Sequence, residues 1–460
     1  MRKNLVGAGG RLFGEQQPGP DETAFQIDNT SEQYFQSPYY LMHQRQVQPV
    51  PAPRTSPPRV NLADVVGAAP VAAIQQAGRI VFHSVGDTGA AKKTGPETEE
   101  SVADLMVEDL TDDPAAGPAF FFHLGDVVYY FGEAQYYYDQ FYEPFRAYDR
   151  PIFAIPGNHD GVVFGPGTQA PQTPTLAAFL QNFCAPQPGP SPSAGGLVRS
   201  VMTQPGVYFT LDAPFVSIIG LYSNVLEGPG VISSQGGKFA TIGDAQLAFL
   251  KAELARLKPA RDRGERAIII AVHHPPLSVD AKHGGSTGLL QDLDAASTSS
   301  GLWPDVVLSG HAHLYQRFTR SVAGRQIPFV VAGSGGFSVT PPLNAVASGR
   351  VPLTQGPVTL ATAPIFEFGY LTITTDAKTL TVAFRTPAQP GGPKDSVTVD
   401  LASHQLLASA KAPGRGRGPG RTASGGKARG GKGPVRKVSG GASRRRKASG
   451  GKGRGAGRKR

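Results

Sequence analysis

Asp, Asn and His recur at the ends of apolar runs in this chain. Residues 79–85 (RIVFHSV) lead into Gly86-Asp87-Thr88-Gly89, residues 120–124 into Gly125-Asp126, and residues 152–156 into Gly157-Asn158-His159-Asp160. Residues 267–272 lead into His273-His274-Pro275-Pro276, and residues 305–309 into Gly310-His311-Ala312-His313. An apolar run that stops at Gly-Asp or Gly-Asn reads as a buried strand closed by a tight turn. Such turns set side chains at the carboxyl edge of an open α/β sheet, where ligands and metals gather. Carboxylate, amide and imidazole donors repeated five times in this setting are those that hold hard or borderline cations in pairs for hydrolysis.

The elements needed to position these residues follow from the periodicity. Residues 98–110 place Val102, Leu105, Met106 and Leu110 on one helical face, and 244–257 do the same with Leu247, Leu250, Leu254 and Leu257. Further strands are expected at 207–211, 215–222, 329–332, 366–374 and 379–385, several of them antiparallel because their connections are short. Strands alternating with helices give an α/β fold. Two stretches read as inserts: 161–203, rich in Pro and Gly and expected to arch over the site, and 280–301, expected to form another wall.

Composition divides the 460 residues into an arm, one catalytic body and a tail. Residues 1–77 are rich in Pro, Gln and Gly and read as an extended arm, residues 78–410 as the body, and residues 411–460 as a tail with too little apolar surface to fold. The formal charge of +10 belongs to the tail alone. It holds 18 of the 45 Lys and Arg and no acid, which leaves 27 basic against 35 acidic residues elsewhere, or −8. Attraction to nucleic acid or another polyanion is therefore an expectation for the tail and not for the body. A single cysteine, Cys184, rules out an intramolecular disulfide framework and a cysteine-rich metal site. The first residues carry no apolar core of signal-peptide length and no later run is long enough to span a bilayer, so a cytoplasmic location is expected.

The order Asp87-x-Gly89, Gly125-Asp126-x-x-Tyr129, Gly157-Asn158-His159-Asp160, Val272-His273-His274-Pro275 and Gly310-His311-Ala312-His313 resembles the calcineurin-like metallophosphoesterases over residues 78–405. Gly89 stands where many members have a histidine, and Tyr129 follows Asp126 by three; this pairing resembles the purple acid phosphatase branch. The resemblance implies an αββα sandwich of two mixed sheets flanked by helices. It implies Asp87, Tyr129 and His313 on a first metal, Asn158, His273 and His311 on a second, and Asp126 bridging the two. Tyrosinate is a hard anionic donor, so the first ion is expected to be Fe(III), with Fe, Zn or Mn as the divalent partner. The implied reaction is hydrolysis of a small phosphoester by metal-activated water, with no covalent phosphoenzyme. His159 is expected to act as proton donor or charge stabiliser at the leaving group, with Asp160 orienting its imidazole.

Other residues receive plainer readings. His274 is expected to support the ligands, His83 and His123 to be buried and hydrogen-bonded, and Tyr130 to pack. Arg317 fits a phosphate contact or a salt bridge, Asn224 and Asp280 are weak rim candidates, and Tyr315 and Cys184 receive no role. A phosphomonoesterase is the leading function. The alternatives are a phosphodiesterase or nucleotidase that concentrates its substrate through the tail, and, from another class, a polyanion-binding protein with a vestigial phosphoesterase body.

Overall fold

The five motif-bearing strands end on one edge of two sheets that pack face to face. The computed structural model describes residues 48–90, 97–113, 115–129, 132–161, 175–223, 230–280, 283–337 and 351–408. They fall within one compact unit that ends at residue 409. The segment 1–47, Tyr130, Asn224 and the basic tail lie outside the described residues.

In chain order the strands are β1 (Arg59–Asn61), β2 (Arg79–Val85), β3 (Pro118–His123), β4 (Ile152–Ala154), β5 (Phe209–Ala213), β6 (Val216–Leu221), β7 (Ala267–Val272) and β8 (Val306–Ser309). They continue as β9 (Tyr315–Val322), β10 (Arg325–Ala332), β11 (Leu353–Gln355), β12 (Val358–Leu360), β13 (Tyr370–Asp376), β14 (Thr379–Arg385) and β15 (Asp395–Asp400). The helices are α1 (Leu62–Val66), α2 (Ala68–Ala77), α3 (Glu97–Glu108), α4 (Ala177–Phe183), α5 (Ala245–Asp262) and α6 (Thr287–Ser300). One sheet runs β15-β14-β13-β2-β3-β4 and the other β1-β5-β6-β7-β8-β10-β9-β12-β11. Within them β2, β3 and β4 are parallel, as are β6, β7 and β8.

Strands buried on both faces explain why the motif runs are apolar throughout. On β3, Phe120 and Phe122 face the interior between the sheets with Phe82, Phe153, Phe209 and Ile218, while Phe121 joins Val102, Leu105 and Met106 of α3 in the other cluster. On β7, Ile269 and Ala271 face inward, whereas Ile268 and Ile270 lie in the cluster that holds Leu250 and Leu254 of α5 and Leu289 and Leu293 of α6. The result is the helix-flanked double sheet that the sequence leads one to expect.

Several boundaries differ from the sequence reading, each for a tertiary reason. Residues 59–77, read as the end of the arm, form β1, α1 and α2; β1 adds to the sheet parallel to β5, and Leu62 and Ile74 are buried in the core. Residues 280–301 line the site with Asp280 and His283 at their start, but they are more than a loop. They hold α6, capped by the Ser286 hydroxyl accepting Leu289 N–H at 3.2 Å, as the crossover between β7 and β8. Helix α5 runs past Pro259 to Asp262, because Arg261 is buried against Asp305 through Nε–Oδ2 at 2.9 Å and Nη2–Oδ1 at 2.8 Å. The described part of the 161–203 insert is tied to the segment before β4, with Arg199 donating to Tyr148 O at 2.8 Å and Arg150 O at 3.1 Å. Next to it, Gln204 accepts Ala154 N–H at 3.1 Å and donates to Ala154 O at 2.7 Å, doing with one side chain what a further strand would do.

Candidate metal centre

Asp87, Asp126 and His311 occupy the left-handed backbone region, at φ of 58°, 55° and 67°. A residue with a Cβ adopts this conformation at a cost, and such strain concentrates where a side chain must be aimed. Each of the three follows a glycine at a strand end, so the turn reverses at once and throws the carboxylate or imidazole across the edge of the sheets. The turns lock together: Asp87 N–H donates to Gly125 O at 2.9 Å and Gly86 N–H to Ala332 O at 3.0 Å. A Cβ on Gly157 would fall on Asp126 Oδ1, so that turn is open only to glycine.

Seven side chains converge from these turns. Tyr129 Oη donates to Asp126 Oδ2 at 2.9 Å, lies 3.1 Å from Asp87 Oδ1, and stands 3.4 Å from His313 Nε2. His313 Nε2 is also 3.4 Å from Asp87 Oδ1. On the other side, Asn158 Oδ1 lies 3.0 Å from His273 Nε2 and 2.9 Å from His311 Nδ1. Asp126 joins the two groups, with Oδ2 3.4 Å from His273 Nε2. Single donor atoms of Asp126, His273 and His311 lie within 4.8 Å of one another, and all three residues are buried.

The chemistry of this donor set fits a pair of cations. Burial first, and then the neighbouring carboxylates of Asp126 and Asp87, push the Tyr129 phenol well above its ordinary value. Burial also opposes charge on Asp126, yet His273 and His159 beside it hold that carboxyl below the usual range. A phenol, two carboxylates, an amide oxygen and three imidazoles turned toward one another are the oxygen and nitrogen donors that hard or borderline cations take. The imidazole of His273 is already oriented for this, since Nδ1 is committed to Leu124 O at 2.8 Å and Nε2 faces Asn158 and Asp126.

His159 N–H donates to Asp126 Oδ1 at 2.9 Å, and its ring lies 4.4 Å from that of Tyr129. Asp160 proves to be a backbone clamp: its carboxylate accepts N–H from Gly157 at 2.8 Å, Val127 at 3.1 Å and Val128 at 3.3 Å. Through these bonds it fixes the turn from which His159 projects, which is an indirect way of placing the imidazole. The structure gives Arg317 the salt bridge, with Nε and Nη2 on Asp395 at 2.5 and 3.0 Å, and Tyr315 Oη donates to the same carboxylate at 2.7 Å. His83 is buried between Tyr148 Oη at 3.1 Å and Asp109 Oδ2 at 3.2 Å. His274 is buried with Nδ1 2.9 Å from Ser223 Oγ.

The sequence reading passed over His283. Its Nδ1 is 2.8 Å from Asp280 Oδ2, and its ring lies 4.8 Å from that of His311 and 5.3 Å from that of His313. The available signal was the Asp-x-x-His spacing just after the His273 turn. It was hidden in a stretch read as an insert.

Behind the centre, His123 accepts Gly125 N–H at Nδ1 (3.1 Å), which leaves Nε2 to donate to Thr88 Oγ1 at 2.9 Å. This bond ties the Asp87 turn to the Asp126 turn. Burial lowers His123 to about 3, so it stays neutral. Glu99 lies on the far side of Thr88, with Oε2 accepting Ala90 N–H at 3.0 Å and Oε1 buried without a partner among the described residues. Burial raises its carboxyl well above the ordinary 4.5 and outweighs the bonds from Ala90 and Thr88. The folded protein therefore holds a proton here that the unfolded chain releases, so stability falls as pH rises above the ordinary carboxyl range. Glu99→Gln is expected to remove that slope. Urea melts at pH 5 and pH 8 should show a clearly smaller loss of stability for the variant than for the wild type.

The calcineurin-like phosphoesterase profile matches residues 82–315, just over half of the chain, and the chain belongs to that family. It is thus a metal-binding phosphoester hydrolase, of a family in which a dimetal centre is typical. Solved structures with a similar fold include GAP50, the anchor in the inner membrane complex of Plasmodium, with 12% identity over 70% of this chain and 89% of that one, at a TM-score of 0.48. PhoD is similar at 13% identity over 80% and 74% of the two chains, with a TM-score of 0.45. A dimetal phosphatase from Danio rerio is similar at 12% identity over 70% and 99%, with a TM-score of 0.42. No curated protein matches the chain. Among the described residues no helix is long and apolar enough to cross a membrane.

Proposed function

We propose that this chain is a phosphomonoesterase of the purple acid phosphatase type, and the observation that carries this reading is the phenol of Tyr129 set between Asp87 and Asp126. Asp87, Tyr129 and His313 would hold the first ion and Asn158, His273 and His311 the second, with Asp126 between the two groups. A tyrosinate and two carboxylates favour Fe(III) at the first position, beside a divalent Fe, Zn or Mn. When bound, such a pair supplies acidified water and electrophilic activation of the phosphoryl group. The chain's own residues do the rest. Asp160 and the Asp87–Gly125 bond keep the turns rigid, so the donors are positioned before the substrate arrives. His159, anchored through its N–H to Asp126, stands beside the centre as the group that protonates the departing oxygen. His283, steadied by Asp280, faces the same edge from the opposite loop and is placed to donate to a phosphoryl oxygen.

Metal analysis and a visible spectrum of the wild type and Tyr129→Phe test this reading, together with turnover of an aryl monophosphate and a diaryl phosphate. The wild type is expected to contain iron, to show a tyrosinate-to-iron absorption band that Tyr129→Phe loses, and to prefer the monoester. A colourless, iron-free enzyme that is fully active would sink the branch assignment. Faster turnover of the diester would move the substrate to the phosphodiesterase class.

A further inference from the structure

The loop after β10 brings an aromatic ring onto the centre, and no part of the proposed reaction yet uses it. Residues Gly333, Ser334, Gly335 and Gly336 run directly beneath the Asp87 turn. Gly335 N–H donates to Gly86 O at 3.1 Å, and Phe337 N–H donates to Asp87 O at 3.1 Å. None of the three glycines has room for a side chain. A Cβ on Gly333 would meet Ala312 O, one on Gly335 would meet Gly86 O at 2.5 Å, and one on Gly336 would meet Thr88 O and the Glu99 side chain. Thr98 Oγ1 fastens the loop from outside by donating to Gly336 O at 2.7 Å. Glycines packed this closely mark a backbone that must approach another backbone.

The approach delivers Phe337. Its ring lies nearly parallel to that of Tyr129, with centroids 3.7 Å apart and planes 8° apart, and it meets His313 edge-on at 4.9 Å. Tyr129 and Phe337 form a small apolar cluster of their own, separate from both large cores. A face-to-face pair is the least favourable arrangement for two neutral rings. The anchored glycine loop therefore imposes this geometry.

We propose that Phe337 is a positioning residue for the first metal, holding the phenol ring of Tyr129 flat so that its oxygen stays between Asp87 and Asp126. This rests on the reading of Tyr129 as a ligand. A phenol free to swing about its Cα–Cβ and Cβ–Cγ bonds would leave that gap and release the ion more readily. A flat aromatic face on one side and an edge-on contact to the neighbouring His313 restrict that swing without touching the oxygen.

The test compares wild type, Tyr129→Phe, Phe337→Leu and Phe337→Tyr, each loaded with iron, by visible spectrum and by the rate of Fe(III) loss to a chelator. Unfolding midpoints serve as the control for folding. Phe337→Leu keeps an apolar side chain but loses the flat face. It is expected to shift and weaken the band and to release Fe(III) about three- to tenfold faster, the range an aromatic pair supplies. Phe337→Tyr should return both readouts to wild-type values. If Phe337→Leu matches the wild type while Tyr129→Phe loses the band, the role of Phe337 is overturned and the phenol ligand stands. If the band survives in Tyr129→Phe or is missing from the wild type, the ligand reading falls and this inference with it. Equal impairment of Phe337→Leu and Phe337→Tyr also overturns it, because the flat ring would not be what matters. Should Phe337→Leu fail to fold, Phe337→Met makes the same comparison.

Discussion

Asp126→Asn is expected to lower phosphoesterase activity by about a hundred- to a few thousandfold, taking the loss of a buried charge partner as ~3–5 kcal/mol at ~1.4 kcal/mol per tenfold, and to lower the bound metal. The carboxylate of Asp126 has three tasks at once. Its Oδ2 accepts the Tyr129 hydroxyl and faces His273, its Oδ1 accepts His159 N–H, and its charge lies between the two donor groups. An amide keeps the size but loses the charge, and whichever way it turns it presents an N–H to a donor. The metal-free variant should melt below the wild type, because it loses the charge partner of His273 and an acceptor for the Tyr129 hydroxyl and His159 N–H. Thermal melts set the temperature at which both proteins are folded, and elemental analysis there separates loss of metal from loss of structure. A variant that keeps both metals and full turnover would show that the two donor groups do not depend on a shared carboxylate.

The residues around Asp126 were legible in the sequence because one physical pattern marks them all. An apolar run that ends in glycine and then a polar donor reads as strand and turn, and Asp87, Asp126, Asn158 and His311 share it. His273 follows its apolar run directly. What this pattern does not carry is the partition of the five strands between two sheets. That depends on which faces pack, and every motif strand is apolar on both. Nor does it carry groups whose task is defined by a partner far away in sequence. Asp160 sits in a motif and looks like chemistry, yet its carboxylate binds the amides of Val127 and Val128, 33 and 32 residues earlier. Phe337 follows a glycine run that composition alone would assign to a loop; its meaning appears only when Gly336 is found against Thr88 and Glu99. The early segment 59–77 was hidden by its Pro- and Gln-rich surroundings, although Leu62 and Ile74 carry enough apolar surface to dock it beside β5.

His159→Ala should slow the hydrolysis of alkyl phosphates by about a hundred- to ten-thousandfold in kcat, the range for a lost general acid, while leaving the metal content unchanged. The donor atoms of the seven converging residues already form two groups around Asp126, and His159 gives that carboxylate its backbone N–H, so its imidazole is proposed here as an acid rather than a ligand. The ring is buried beside Tyr129, at 4.4 Å and 47°. A residue in that place either supplies a proton or only balances charge. The leaving group separates the two. An alkoxide is a strong base and cannot depart unprotonated, whereas a nitrophenolate departs readily without help. Proton donation therefore predicts a large loss with alkyl phosphates, a small one with nitrophenyl phosphate, and a steeper dependence of kcat on leaving-group basicity in the variant. An equal loss with both substrates would assign His159 to charge balance at the phosphoryl group, and the proton would then have to come from another residue at the same edge, with His283 the first to examine through its bond to Asp280.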